Sequence, residues 1–385
     1  MTNLVVEDNR IRPSTYGLAL YFLLMATDCF PLGAIGSLLK IIALVPLGLS
    51  ILEIRKMRIQ FNWLIVFQFL FWVLAVLSVF YSVHQSNTVS SVITLSLNLA
   101  LVFVMGTTLR YNEVEVKFLY RAMLYGSWLT VLLMVFFFNI SPDGRLTLQL
   151  GEGIQDQNYI NGYILFAFSY HCNAAFINKK WRHLIAVMFI GAVVLLTGSR
   201  GAFVSYVAVV LVYLILMVSH TGKPLHNLSL LMIIVVGLAA FFEIMLKQMP
   251  ADVAERFTWD YIMQKGTTGR TRIWQYLWDH FCNDGIFRMI LGHGYGTSSV
   301  VNQMNNYVAH NLYLDNLITL GVVGLVLQIL TQGYVIYELI REKLTVAFGA
   351  YFGLLVMCLS LSLVAYRPIW NVMLLALAVH YSKGD

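Results

Sequence analysis

Apolar runs of membrane-spanning length follow one another along most of the chain, separated by short polar breaks, and no segment of barrel-strand length alternates apolar with polar positions. A helical span needs about 20 mostly apolar residues and a barrel strand needs period-two alternation, so the pattern predicts helices that cross a membrane. The runs give about twelve: 15–30, 32–52, 61–81, 89–108, 117–140, 158–177, 182–197, 200–219, 229–246, 309–338, 345–364 and 367–381. Residues up to Tyr16 are polar and no small-residue cleavage site follows, which predicts a retained first helix rather than a signal peptide.

One break is long. Segment 247–308 divides the chain into 1–246, with the first nine of roughly twelve helices, the segment itself outside the membrane, and 309–385 with the last three, all one integral domain. Within it, TTGRTRIWQYLWDHF has Ile273, Leu277 and Phe281 at helical spacing, Thr268 as an N-cap, and Asn283-Asp284-Gly285 as a stop. Arg270, Trp274 and Trp278 share a stripe of this amphipathic helix, with Arg272 near its start. Two arginines and aromatics at a helix N-terminus suit a phosphate at a membrane surface. The following LGHGYGTSS is glycine-rich, but no strand pattern precedes it and no lysine stands in P-loop position, so it is not read as a nucleotide site.

Composition agrees: 59% of residues are hydrophobic and 11% charged, which excludes a single water-soluble core. Cys29, Cys172, Cys282 and Cys358 are scattered and predict no disulfide framework. With both termini cytoplasmic, Arg10, Arg12, Arg55, Lys56, Arg58, Lys117, Lys179, Lys180, Arg182, Lys223, Arg341, Lys343 and Lys383 obey the positive-inside rule. Arg145, Arg200 and Arg367 then fall on the outer side, with Arg256, Lys265, Arg270, Arg272 and Arg288 from the long segment.

Arg200 raises the sharpest question, because no Asp or Glu lies between Asp156 and Glu243. Either it snorkels to the interface or pairs with an acid distant in sequence, or its guanidinium forks onto an anionic ligand such as a phosphate. His310 stands where the long segment returns to the membrane. It is a structural histidine or a base kept neutral by the positive end of the helix that follows. Asn311 reads as a helix-start residue, and Asp315 is rotated away from His310. Glu152 and Asp156 either cap the sixth helix, pair with Arg200 or orient a sugar hydroxyl. His280, His293 and His310 lack paired metal-ligand spacing, so no metal and no cofactor are expected.

Taken in order, Asp156-Gln157-Asn158, Thr197-Gly198-Ser199-Arg200-Gly201, Gly269-Arg270 with Trp274, and His310-Asn311 with Leu314 are familiar, and Leu291-Gly292-His293-Gly294 adds a weaker fifth element. With about twelve spans and one large outer loop, the chain resembles the O-antigen polymerase/ligase family, which joins Wzy-type polysaccharide polymerases and O-antigen ligases. Gln157 departs from it, since many members have proline there. The resemblance implies an all-α, GT-C-like integral membrane glycosyltransferase, metal-independent, with short amphipathic helices in its extracytoplasmic loop. It would sit in the bacterial cytoplasmic membrane with its site facing outward, and act in O-antigen, capsule or exopolysaccharide synthesis.

The donor implied is a glycan on undecaprenyl diphosphate. Arg200 and Arg270, with Arg272, would hold the diphosphate, His310 would take the acceptor's proton, and Asp156, Glu152 or Asn311 would orient the sugar. Membrane lipids, a flippase and a chain-length regulator of the same pathway are the implied partners; nucleic acid is not. The first expectation is a polymerase and the alternative a ligase acting on lipid A core or another acceptor. A transporter or flippase would instead show inverted repeats with broken helices in both halves, which the sequence lacks.

Overall fold

The computed structural model describes residues 10–30, 32, 36–150, 153–154, 156–219, 224–266, 269–303, 307–380 and 382. Its helices in chain order are α1 (Pro13–Leu23), α2 (Leu38–Ile42), α3 (Leu44–Ser50), α4 (Trp63–Leu77), α5 (Gln85–Thr107), α6 (Glu113–Phe136), α7 (Asn161–Cys172), α8 (His183–Leu196), α9 (Arg200–Ser219) and α10 (Pro224–Gln248). Segment 247–308 contributes α11 (Ala251–Glu255), α12 (Trp259–Lys265), α13 (Arg270–Asn283), α14 (Ile286–Leu291) and α15 (Ser298–Val301). The chain ends with α16 (Leu312–Arg341), α17 (Thr345–Cys358) and α18 (Arg367–His380).

Among the described residues, five helices are long and apolar enough to cross a membrane: Trp63–Phe80, Gln85–Thr107, Glu113–Phe136, Arg200–Ser219 and Leu312–Arg341. They expose large side chains such as Phe80, Ile93, Phe136 and Ile215, as lipid-facing surfaces do. The apolar run 32–52 includes the short helices α2 and α3, and α18, within the run 367–381, is buried along its length. Hydropathy does not separate residues that face lipid from residues that face protein, so these runs look alike in sequence.

Side-chain hydroxyls join the helices of the interior, where helices associate without a hydrophobic drive between them. Ser169 of α7 donates to the Val346 carbonyl at 2.6 Å, Tyr213 of α9 donates to the Thr345 carbonyl at 2.8 Å, and both bonds fix the start of α17. Arg367, placed outside by the charge pattern, finds an acid distant in sequence: its Nε lies 3.0 Å from Asp28 Oδ1, while Tyr163 donates to Asp28 Oδ2 at 2.5 Å.

Two features depart from a plain helical bundle. The expectation of an all-α chain is corrected by an antiparallel sheet of β1 (Phe138–Ile140), β2 (Leu146–Leu150) and β3 (Gly153–Ile154), in the order β1-β2-β3. Leu146, Leu148 and Leu150 alternate with Thr147 and Gln149, a period too short to stand out beside long apolar runs. The tight turn before β2 depends on Gly144 at φ 75° and delivers Arg145 to the sheet's edge.

The second departure is a break in α16 at Gly321 (φ 66°). The freed carbonyls of Ile318 and Thr319 accept from His293 N at 3.0 Å and Gly294 N at 2.9 Å, so the Leu291–Gly294 loop docks into the break. A side chain at Gly321 would collide with the Ile290 carbonyl.

Candidate functional site

The turn from α8 to α9 is built to receive two arginines. Thr197 Oγ1 donates to the Val194 carbonyl at 2.6 Å, and Gly198 takes a left-handed backbone (φ 59°) that turns its carbonyl and that of Thr197 outward. Arg145 Nε donates to Thr197 O at 2.7 Å and Arg256 Nε donates to Gly198 O at 3.0 Å. Asp143 lies 3.7 Å from each guanidinium, and Arg145 Nη2 also donates to Asn158 Oδ1 at 3.2 Å.

A Cβ at Gly198 would stand 3.1 Å from Arg145 Cγ and 3.3 Å from Arg256 Cδ, so glycine supplies both the backbone angle and the space. Burial lowers the Arg145 pKa, reinforced by Arg256 beside it and opposed by Asp143 and Asp156. Guanidinium remains protonated against such a shift, so like charges are held together.

Opposite this turn stands α13. Gly269 begins it in a left-handed conformation (φ 84°), and Ile273, Leu277 and Phe281 bury one face against Val301, Ala309, Leu317 and Ile318. That leaves Arg270 at the first turn. Trp274, one turn on, donates its indole N–H to the Ala309 carbonyl at 2.8 Å. His310 follows directly, in a left-handed backbone (φ 49°) rare for a residue with a side chain. Asn311 then caps α16, its Oδ1 accepting from Tyr313 N at 3.0 Å and Leu314 N at 3.1 Å.

Arg145, Asp156, Arg256, Arg270, Tyr307 and His310 meet around one cavity of about 290 Å³. Its charge is net positive. Burial lowers the His310 pKa, the Arg270 charge lowers it further, and Asp156 opposes both, so the ring is neutral near pH 7. His310 Nδ1 is buried and has no hydrogen-bond partner among the described residues. Burial also lowers the Arg270 pKa, while Asp156 and Tyr159 support its charge. A cavity with three fixed forks and a neutral imidazole suits a multiply charged oxyanion beside a group that must lose a proton.

The sequence-expected residues divide. Arg270, His310 and Asp156 line the cavity; Arg200 does not. Its Nη2 donates to the Gly266 carbonyl at 2.8 Å and its guanidinium lies 5.6 Å from the Tyr261 ring centroid, beside Arg256 and Arg270. Among the described residues no ion pair joins Arg200 to Asp156. Asp156 instead accepts from Asn158 N at 2.6 Å, a helix-entry turn.

Arg272 is exposed and outside the lining, Asn311 is an N-cap, and Glu152 and Thr268 lie outside the described residues; Gly269 occupies the cap position of α13. Arg145 and Arg256 were marked in sequence only as outer cations. Their partners are backbone carbonyls far along the chain, which leave no side-chain signature.

A second cavity of about 290 Å³ runs between α8, α9 and α10 and is almost wholly apolar. Leu195 and Phe203, which flank the Thr197–Arg200 turn, are part of its lining, with Val207, Val235, Phe241 and Phe242.

These features define a mostly helical membrane protein with a cationic cavity at one end of its bundle and an apolar groove leading to the same turn. Residues 185–329 match the family model Wzy_C, O-antigen ligase, which supports the resemblance to the O-antigen polymerase/ligase family. The match takes in Arg200, Arg256, Arg270 and His310 and leaves out Arg145 and Asp156. Comparison with curated proteins returns no match.

Proposed function

We propose that the protein is a polysaccharide polymerase of the bacterial cytoplasmic membrane, with about twelve spans and its site on the outer face. It transfers a growing glycan from undecaprenyl diphosphate onto a lipid-linked repeat unit. The observation that carries this reading is the convergence of Arg145, Arg256 and Arg270 with His310 on one cavity, beside an apolar groove suited to a polyprenyl tail.

In the proposed step, the neutral His310 imidazole takes the proton of the acceptor hydroxyl as its oxygen attacks the anomeric carbon. The bond from that carbon to the diphosphate oxygen breaks, and the leaving lipid diphosphate keeps the electron pair. Negative charge grows on that oxygen, where the arginine forks stabilise it most. Arg200 adds field from behind and holds the Gly266 carbonyl, so its role is positioning. A single displacement inverts the anomeric centre, and no step requires a metal or nucleotide.

The family's description as O-antigen ligase favours a second reading, transfer of the finished glycan to lipid A core or another acceptor. One experiment separates them. Purified protein given lipid-diphosphate-linked repeat units alone forms a ladder of longer lipid-linked glycans if it is a polymerase. If it forms none, yet transfers glycan when lipid A core is added, it is a ligase. Failure of both defeats the proposal.

A further inference from the structure

Away from the arginine cavity, at the opposite end of α13, three residues from two segments aim at one point. His280 and Asp284 end the helix, and His293 belongs to the loop docked on the broken α16. Their donor atoms all lie within 4.8 Å of one another. His293 Nε2 is 3.4 Å from Asp284 Oδ2, and His280 Nε2 is 3.8 Å from Asp284 Oδ1. Donors about 2.0–2.1 Å from a tetrahedral zinc ion are separated by about 3.3 Å, so a small rotation of His280 closes the set.

Other observations point the same way. His293 Nδ1 lies 3.1 Å from the Ile318 carbonyl, a contact that puts the proton on Nδ1 and the lone pair on Nε2, facing Asp284. Asp284 Oδ2 is buried without a hydrogen-bond partner among the described residues, a state costly for a carboxylate oxygen unless a cation meets it. Arg288, the nearby cation, is turned onto backbone, donating to the Tyr81 carbonyl at 3.0 Å and the Gly292 carbonyl at 3.3 Å. The comparable group Glu338, Glu342 and His380 differs, because Arg341 Nη2 lies 3.2 Å and 3.1 Å from its two carboxylates.

We propose that His280, Asp284 and His293 bind a zinc-class divalent cation that ties the C-terminal end of α13 to the loop seated on the α16 break. Nitrogen and carboxylate donors suit zinc, and His280, about a third exposed, leaves the fourth position to water. The site lies about 15 Å along α13 from Arg270, so the ion takes no part in transfer. It braces the outer segment against the helix that begins beside His310.

The test uses full-length detergent-solubilised protein, its affinity tag removed, stripped with chelator and dialysed. Zinc is added back, with bound metal read by elemental mass spectrometry and Tm by differential scanning fluorimetry. The expected result is one zinc per chain after desalting and a Tm raised by a few degrees, as ligand linkage requires. Both effects are lost in His293→Ala and in His280→Gln, the latter at a partly exposed position the fold tolerates. Retention below about one zinc per ten chains, or undiminished zinc in both variants, overturns the proposal. Neither readout depends on the transfer reaction.

Discussion

Trp274 donates its indole N–H to the carbonyl of Ala309 at 2.8 Å, so the helix that opens with Arg270 and the loop that presents His310 are joined by one hydrogen bond. The two residues reach the cavity from separate segments, and this bond helps, with the packing of α13 on Ala309, Leu317 and Ile318, to hold them together.

Trp274→Phe keeps an aromatic ring and removes the bond. A hydrogen bond such as this partly buried one contributes about 0.5–1.5 kcal/mol, so the fold should survive with a Tm only slightly lowered. Transfer should suffer more, with kcat down about tenfold and KM little changed, because spacing matters most when charge develops. Steady-state kinetics beside a melting curve check this. A Tm loss with kcat intact would make the bond purely structural.

The three arginines predict a graded response. Arg145→Ala, Arg256→Ala and Arg270→Ala should each lower kcat by about a hundredfold to a thousandfold, the usual cost of removing one donor to a developing oxyanion. Arg256→Lys should rescue little, since an ammonium lacks the fork that serves Gly198 O and a ligand together. Arg272→Ala, at an exposed position outside the cavity, should behave as wild type. A turnover assay on lipid-linked glycan ranks all five.

The pH profile tests His310. In the proposed step the neutral ring is the base, so activity should be present above its pKa and lost as pH falls through it. Burial and Arg270 depress that pKa below the ordinary value of about 6.5. The midpoint of the acid limb should therefore lie below about pH 6.5, with unit slope. Removing the Arg270 charge in Arg270→Gln should move the acid limb of the residual activity upward. An acid limb unmoved by that change would exclude His310 as the titrating group.

Much of this arrangement was legible in sequence because it rests on local rules. Apolar runs located the long helices, the spacing of Ile273, Leu277 and Phe281 located the buried face of α13, and Asn311 reads as the cap it is. Arg270 and His310 came from motifs at element starts. What sequence hid was contact between distant segments. Arg145 reaches the site through a three-stranded sheet and Arg256 through a backbone carbonyl, while Arg200, the most conspicuous charge, stands behind the cavity on Gly266 O. The groups that bind Arg145 and Arg256 are carbonyls, which every residue has, so no pattern of residue types announces them.

Gly198 gives the most direct test of how the arginines are placed, because its substitution alters no charge. At φ 59° an alanine bears left-handed strain of about 1–2 kcal/mol, and its Cβ would stand 3.1 Å from Arg145 Cγ and 3.3 Å from Arg256 Cδ. The strain alone predicts a Tm lowered by a few degrees in a chain that still folds. The crowding pushes both guanidinium stems off the Thr197 and Gly198 carbonyls, so Gly198→Ala should resemble a partial loss of Arg145 and Arg256 together. Transfer should fall at least tenfold, and adding Arg256→Ala should cost less than it does in the wild type, because its position is already disturbed. If Gly198→Ala and Arg256→Ala instead multiplied their effects, the turn would not be what positions Arg256.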